Sequence, residues 1–360
     1  MVLPDAVAHV ILSSPYLCVR DLGRLAIASP TFGRRRLNCQ NISLVEEAMR
    51  CRCRKLQRGH AILNIPFDRS AWIQLICLTE PTEGIEIEAA MVVDYECYFD
   101  RPRYVVVPHG VMGICEDAFS RNSDITNVIL PDSVTIIGER AFERCFSLTS
   151  ITLPRGLRFI SDNTFDNCLA LSNLTIPDGV EGIGADAFNA CVRLQFLSLP
   201  KSLTAIGMGA FSGCVSLSEM VVPDGVVQIE WNVFSACAGL TRLHLPGGVT
   251  SIGCEALSEC SRLVTLALPD RLTCIAERAF EGCSSLTTLS LPQSITQIGA
   301  GAFRGCSGLR HLDFPPTLTV INRSVASGCS SLERLGLPDS IVHICGRAFR
   351  DCAGLVHLRS

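Results

Sequence analysis

The chain has 360 residues, of which 48% are hydrophobic, and carries a formal net charge of −4 at pH 7. A chain of this length can bury a large core, and its nearly balanced charge gives no reason to expect nucleic acid or an anionic membrane surface as a partner. No stretch approaches the roughly 18 consecutive apolar residues of a membrane span, and Pro4, Asp5 and Arg20 interrupt the apolar run that a secretory signal needs. We therefore expect a soluble protein of the cytoplasm, with the nucleus as the alternative.

Residues 1–36 predict a small helical domain that stands apart from the rest of the chain. Pro4 and Asp5 suit the start of a helix, and apolar residues at helical spacing follow them. Asp21 can cap a second apolar helix, which ends near Pro30. The pattern therefore indicates two short helices joined by a loop.

The order of these residues resembles an F-box, a short helical domain whose family members dock onto the adaptor subunit of an SCF-type ubiquitin ligase. The resemblance lies in the opening Leu3-Pro4, in the two apolar stripes and in Asp21-Leu22, whereas Ala6 stands where the family usually has an acid. It implies helix-in-groove contacts with the adaptor by Leu3, Pro4, Val7, Ile11, Leu12, Leu22, Leu25 and Phe32. The alternative is a plain helical cap that closes one end of the repeats that follow.

Residues 37–102 predict a helical connector followed by the N-terminal cap of the repeats. A basic stretch over residues 50–58 suits a solvated helix face, with a nuclear-localisation or RNA-binding segment as the alternative. Cys51 and Cys53 have no second cysteine or histidine pair at zinc spacing, so we expect no metal site there. Residues 85–99 are expected to be extended and to supply a capping strand.

From residue 103 to residue 360 the sequence repeats with a period of 23 residues. Prolines keep this period at Pro108, Pro131, Pro154, Pro177, Pro200, Pro223, Pro246, Pro269, Pro292, Pro315 and Pro338. A period in the twenties that is sustained over this many copies predicts a solenoid, here of about eleven coils.

Within each repeat the pattern predicts two strands and a short helical turn. Leu197 and Leu199 alternate with outward residues, which is the period of a half-buried strand, and Pro200 ends that strand because it has no backbone N–H to donate. A second extended piece contains Ile206, and Gly207 suits a turn that needs positive φ. The apolar residues that follow are expected on a helical turn, which gives one right-handed coil per repeat.

Identical residues recur at the same place in each coil and are expected to stack into buried ladders. The isoleucine ladder runs without exception over Ile114–Ile344, whereas Leu257 and Ala326 interrupt the phenylalanine ladder. A third ladder consists of cysteines, over Cys145–Cys352. We expect these to be reduced, buried thiols, with disulfides between neighbouring coils as the alternative.

The repeat resembles the BspA-type leucine-rich repeat, with the pattern L-x-x-L-x-L-P-x-x-L-x-x-I-G-x-x-A-F-x-x-C and other aliphatic residues at some leucine positions, over residues 103–360. The resemblance implies a scaffold whose family members serve as adhesins, surface antigens and intracellular binding modules. The expected fold class is α+β, with a small N-terminal helical F-box-like unit followed by a right-handed leucine-rich-repeat solenoid.

No pattern in the chain predicts catalysis. There is no P-loop, no glycine fingerprint for a dinucleotide and no H-E-x-x-H helix. His244, His311 and His357 are expected on outward strand positions at least two coils apart, roughly 10 Å or more from the strand spacing, which is too far to share a metal ion. We therefore expect no enzyme activity, no cofactor and no metal.

What varies between coils is the outward face of the strand before each proline. In the coils from Phe196 to His244 this face combines aromatic, apolar and basic residues, the mixture typical of interface anchors. The candidate partner-binding residues are Phe196, Glu219, Val221, Trp231, Arg242 and His244. Ordinary surface variation is the alternative.

The sequence therefore predicts a protein-binding molecule without chemistry of its own. The leading interpretation is an F-box-like substrate receptor of an SCF-type ubiquitin ligase, whose solenoid binds an unidentified protein target. One alternative is a stand-alone intracellular leucine-rich-repeat scaffold whose N-terminal helices only cap the solenoid. Another is a surface adhesin with cross-linked coils.

Overall fold

The structure is a computed structural model, and it describes residues 86–87, 103–107 and 111–359. The helical unit predicted over residues 1–36, and most of the connector and cap predicted over residues 37–102, lie outside the described residues. The described residues form a solenoid in which each coil has three sides. Side A holds the strand before each proline, side B holds the strand after it, and side C is a segment of consecutive turns that leads to the ladder cysteine.

Side A consists of three-residue strands in most coils, and neighbouring strands pair in parallel, as Glu219 does with Arg242. Its strands are Tyr104–Val106, Asn127–Ile129, Ser150–Thr152, Glu219–Val221, Arg242–His244, His311–Asp313, Arg334–Gly336 and His357–Arg359. In the coils between them, single bridges at Asn173, Phe196, Thr265 and Thr288 take the place of strands.

Side B consists of two-residue strands that pair in parallel in the same register. They are Gly113–Ile114, Ile136–Ile137, Phe159–Ile160, Gly182–Ile183, Ala205–Ile206, Gln228–Ile229, Ser251–Ile252, Cys274–Ile275, Gln297–Ile298, Val320–Ile321 and His343–Ile344. The strand Glu86–Ile87 joins this side by pairing with Gly113–Ile114. It falls inside the extended capping segment that the sequence predicts over residues 85–99.

Side C contains no helix, and none occurs elsewhere in the described part of the chain. Each coil has two residues of positive φ on this side, such as Arg140 at 53° and Arg144 at 57°, and this conformation interrupts a right-handed helix. Alternate backbone N–H groups donate to the next coil, from Arg140 to Asp162 and from Phe142 to Thr164, and those between them close turns within the coil, as Ala141 does to Gly138. The predicted helical turn is therefore wrong, and the α+β class is wrong with it, since the described chain is an all-β solenoid.

The repeated aliphatic and aromatic side chains form the core, as the sequence predicts. Phe142, Phe165 and Phe188 are fully buried, and the stacked rings of the ladder have centroids between 5.1 Å and 5.7 Å apart. The isoleucine ladder is buried over Ile114–Ile321, whereas Ile344 is half exposed. Each buried side chain stabilises the fold by about 1.5–3 kcal/mol. Because the ladders run across coils, this stabilisation is shared between neighbours.

The ladder cysteines are free thiols in the structure. From Cys145 to Cys329 they are buried, and each Sγ donates a hydrogen bond to a backbone carbonyl of the preceding coil, as Cys214 does to the Phe188 oxygen at 3.2 Å. They therefore behave as small buried hydrophobes whose one donor is satisfied.

Glycine follows the side-B strand in five coils, for a reason other than the predicted one. Gly207 does not have positive φ, which occurs on side C instead, for example at Gly209 and Gly213. A Cβ added at Gly207 would lie 2.5 Å from the backbone nitrogen of Ala185 and 2.6 Å from the carbonyl carbon of Gly184. At Gly207 the backbone of the preceding coil therefore approaches too closely for a side chain unless the backbone shifts, whereas other coils hold Ser161, Glu230 or Ala276 at the equivalent position.

One interruption of the phenylalanine ladder is filled from side A. Ala326 takes the place of a ring, and Phe314 stands at the end of side A, where other coils have Val, Leu or Ile. Phe314 is buried and packs edge-on against Phe349, with ring centroids 6.4 Å apart and planes at 61°. Because Phe349 holds the next ring position of the ladder, we infer that the Phe314 ring occupies the volume that Ala326 leaves.

Candidate protein-binding surface

The candidate surface lies on side A, where strand geometry turns every second side chain outward. In Glu219–Val221 and Arg242–His244 the central Met220 and Leu243 are 1% and 7% exposed, whereas the flanking residues are exposed. The parallel register places Glu219 beside Arg242 and Val221 beside His244. The two strands thus hold these side chains on one face of a rigid sheet.

Phe196 extends this face into the preceding coil. A bridge pairs Asn173 with Phe196, which occupies the repeat position of Glu219 one coil earlier. The Phe196 side chain is 67% exposed and Val221 is 56% exposed. Since diagonal neighbours on adjacent strands lie within reach of each other, the two apolar side chains form one patch.

Arg242 is the most exposed charged group of the candidate surface. Its Nη1 lies 3.9 Å from the Glu219 Oε1, and the two side chains are 78% and 53% exposed. An ion pair of this length and exposure contributes about 0–1 kcal/mol. The guanidinium is therefore free to form a bidentate pair with a carboxylate of a partner.

A shallow groove adjoins the candidate surface on its N-terminal side. The groove has a volume of about 620 Å³, and the residues that line it include Thr152, Asn173, Thr175 and Asp178. Asn173 is the bridge partner of Phe196. The exposed ring therefore stands at the edge of a groove that offers hydroxyl, amide and carboxylate groups.

Trp231 does not belong to the candidate surface. It follows the side-B strand Gln228–Ile229 and begins side C, where it is 52% exposed and its carbonyl accepts a hydrogen bond from the Gly209 N–H at 2.7 Å. The sequence predicts Trp231 to be exposed near the side-A residues, and the structure places it, exposed, at the start of side C. The residues that the structure brings together are Phe196, Glu219, Val221, Arg242 and His244.

The adaptor-binding residues predicted between Leu3 and Phe32 lie outside the described residues. Within the described ranges, no group of three or more histidine, cysteine, aspartate or glutamate side chains is arranged to hold a metal ion. Those ranges also include no helix with the length and apolar character that a membrane span requires.

A family profile described as "BspA type Leucine rich repeat region (6 copies)" matches residues 112–241 and 227–356. These matches follow the coils of the solenoid and cover most of the chain. The chain belongs to the BspA-type leucine-rich repeat family. No curated protein is significantly similar to it in sequence.

Solved structures of other leucine-rich repeat proteins resemble this BspA-type chain. One from Bacteroides ovatus is 27% identical, over 71% of this chain and 86% of that chain, with a TM-score of 0.46. One from T. pallidum is 34% identical, over 45% and 78%, with a TM-score of 0.43. One from Eubacterium ventriosum is 21% identical, over 72% and 73%, with a TM-score of 0.50, and this likeness concerns the fold alone.

One exposed surface of the BspA repeats was not predicted. It lies at the residue directly after each ladder cysteine. Phe146 is 43% exposed, Leu169 is 37% exposed and Val215 is 44% exposed. The missed indication is that this position is apolar in consecutive repeats, although it lies in neither predicted strand.

Proposed function

We propose that the chain is a protein-binding module and that it binds its partner through the side-A face formed by Phe196, Glu219, Val221, Arg242 and His244. The observation that carries the proposal is the 67% exposure of Phe196 on the same side as Arg242, which lies two coils further on and whose side chain is 78% exposed. Aromatic and arginine side chains dominate the energetic centres of protein interfaces. Leaving the ring in water forgoes the stabilisation that burial of an aromatic side chain brings.

The construction of the repeats supports this assignment. The inward positions of side A are fixed by the core, so only the outward positions are free to differ between coils without affecting the fold. Because the sheet holds them rigidly, a partner loses little free energy in ordering them. We also propose that the chain performs no catalysis itself and acts in the cytoplasm or the nucleus.

The test is a comparison of matched phenylalanine variants of the full chain. Phe159 lies on side B and is 58% exposed, so Phe159→Asp controls for the introduction of a charge on an exposed ring position. We expect Phe196→Asp to cost on the order of 2 kcal/mol of binding free energy, a roughly 30-fold loss, and Phe159→Asp to leave binding unchanged. The measurement is quantitative mass spectrometry of proteins that co-purify with each variant, followed by titration of the partner. Equal retention of partners by both variants would contradict the proposal.

A finer form of the function, a substrate receptor of an SCF-type ubiquitin ligase, is the second candidate. The observation that favours it is the F-box-like order of Leu3-Pro4 and Asp21-Leu22 with the apolar stripes between Val7 and Phe32. In such a receptor the solenoid brings the target close to the ligase, and proximity promotes the transfer. The family profile matches only the repeats, so the stand-alone scaffold remains the competing form.

Co-expression with an SCF adaptor subunit separates these two forms. If the chain is a receptor, wild-type protein co-elutes with the adaptor in size-exclusion chromatography, and Leu12→Asp or Leu22→Asp abolishes co-elution. Phe196→Asp serves as the control, because a solenoid variant should keep the adaptor. Separate elution of folded wild-type protein would rule out the receptor and leave the scaffold.

A further inference from the structure

A column of exposed and half-buried side chains runs along the corner between side C and side A. We call it the corner column, and it consists of the residue directly after each ladder cysteine. In five consecutive coils it is apolar, with Phe146, Leu169, Val192, Val215 and Ala238. In the next four coils it is serine, at Ser261, Ser284, Ser307 and Ser330.

The two halves of the corner column provide an internal comparison. In other coils serine occupies the equivalent position without any change of the backbone. The fold therefore does not require an apolar residue there. Phe146, Leu169 and Val215 are nevertheless between 37% and 44% exposed. A contiguous row of apolar side chains that the fold does not need is typical of a binding surface.

The spacing of the corner column selects the shape of its ligand. Neighbouring coils pair through parallel strands, which lie about 4.8 Å apart, and the stacked phenylalanine rings inside have centroids 5.1–5.7 Å apart. One turn of an α-helix rises about 5.4 Å, whereas side chains on one face of an extended peptide recur every 6.6–6.8 Å or so. A helix laid along the solenoid axis therefore drifts by less than about 1 Å per coil, whereas an extended peptide drifts by about 2 Å per coil.

The flanks of the apolar half carry small and basic residues. Ala170, Ser216 and Gly239 lie on one side, where they leave room for a helix backbone, and Arg193 in the same row is exposed. In the described part of the chain Arg193 has no ion pair, whereas Arg144 on the other flank pairs with Glu143 at 3.2 Å. The unpaired charge beside the apolar row is thus positive, although the chain as a whole has a net charge of −4.

We propose that the apolar half of the corner column binds an acidic amphipathic α-helix of a partner protein, parallel to the solenoid axis and with one helical turn per coil. Apolar residues of the helix at i, i+4, i+7 and i+11 pack between successive corner residues. An acidic residue beside this stripe pairs with Arg193. This surface shares no residue with the side-A face.

The test uses the full chain and a displayed library of helical peptides of about 16 residues, long enough for four turns. We expect selection on wild-type protein to enrich peptides with apolar residues at helical spacing and an acid on one flank. The synthetic form of the most enriched peptide is then titrated by fluorescence anisotropy. The double variant Leu169→Ser with Val215→Ser should weaken its binding at least about tenfold, and it should fold, because serine is what the chain itself uses at this position.

Two control variants make the result specific. Ser284→Ala, in the serine half, and Phe196→Asp, on side A, should leave the affinity of the peptide within about twofold, because surface substitutions outside an interface have small effects. Arg193→Glu should weaken the binding of the acidic peptide and strengthen the binding of a form of the peptide in which lysine replaces the acid. The proposal is overturned if selection enriches nothing, if the enriched peptides alternate as extended chains do, or if their binding survives the double serine variant.

Discussion

Each ladder cysteine is held as a neutral thiol by its surroundings. Burial raises the pKa of Cys145 and Cys237 to about 12, and it raises the pKa of Cys214 well above its ordinary value, where a neighbouring thiolate at Cys237 would add repulsion. The thiolate is the form that attacks disulfides and binds metals. At neutral pH the ladder cysteines are therefore neutral thiols that pack in the core.

The raised pKa values of these thiols predict that the folded chain loses stability in alkaline solution. In the unfolded chain they ionise near the ordinary pKa of 9.0, whereas Cys237 in the folded chain keeps its proton up to about 12. Between these values the unfolded state binds fewer protons, so the free energy of unfolding falls as the pH rises. Each such thiol contributes a slope of about 1.4 kcal/mol per pH unit. Urea titrations across this window should show a shallower slope for Cys237→Ala than for wild type. Identical slopes would contradict the assigned pKa.

The close approach of coils at the side-B glycines gives a second prediction at this scale. Gly207→Ala should destabilise the fold by about 2 kcal/mol or more, because its Cβ overlaps the backbone of the preceding coil. Gly247 is the matched control, since a Cβ there has nothing within 4 Å. Gly247→Ala should be neutral or stabilise by up to about 1 kcal/mol through the unfolded state. Urea unfolding measures both, and equal effects would refute the close-approach explanation.

For single residues, the sequence was informative about burial and less informative about backbone. Periodicity identified the isoleucine, phenylalanine and cysteine ladders, because a residue that recurs at one place in every coil must meet its own copies. The reason for Gly207 could not be predicted, since positive φ and close backbone approach select the same residue. Only the spacing between coils distinguishes the two causes.

At the scale of one coil, alternate backbone N–H groups of side C donate hydrogen bonds to the next coil rather than along a helix. Its positive-φ positions are Asn163 and Asn167 in one repeat and Gly209 and Gly213 in another, residue types that adopt this conformation at low cost. In other repeats arginine or alanine stands there, and the apolar spacing imitates a helix, which explains the wrong prediction. The positive-φ positions of side C could have been recognised by comparing the residue types at one repeat position across all repeats.

The pair Phe314 and Ala326 gives the prediction for this scale. Phe314→Leu should cost about 1–2 kcal/mol because it reopens a space in the core, and Ala326→Phe should cost about 1–3 kcal/mol by overfilling it. The double variant restores the usual arrangement of the other coils and should be more stable than the sum of the single effects implies. A double-mutant cycle in urea measures the coupling. Additive effects would show that Phe314 does not fill the space beside Ala326.

Over the whole molecule, the regular coils were predictable and their irregular neighbours were not. Ile87 pairs with Ile114 although they are 27 residues apart, so the strand Glu86–Ile87 falls outside the period that revealed the others. The place of Trp231 at the start of side C was not predictable, because the sequence does not show where side B ends. The side-A residues were grouped correctly, since a constant period and parallel pairing place equivalent positions side by side.

The central claim, that a protein partner covers the side-A face, is tested most directly by site-specific photo-crosslinking. Phe196 is replaced in the full chain by p-benzoylphenylalanine, and Phe159, the exposed ring of side B, is replaced in a second preparation. Both changes keep an aromatic side chain and the charge of the surface. Illumination in cells should join a defined partner to the chain labelled at residue 196 and not to the chain labelled at residue 159. The same products from both positions, or none from residue 196, would contradict the claim.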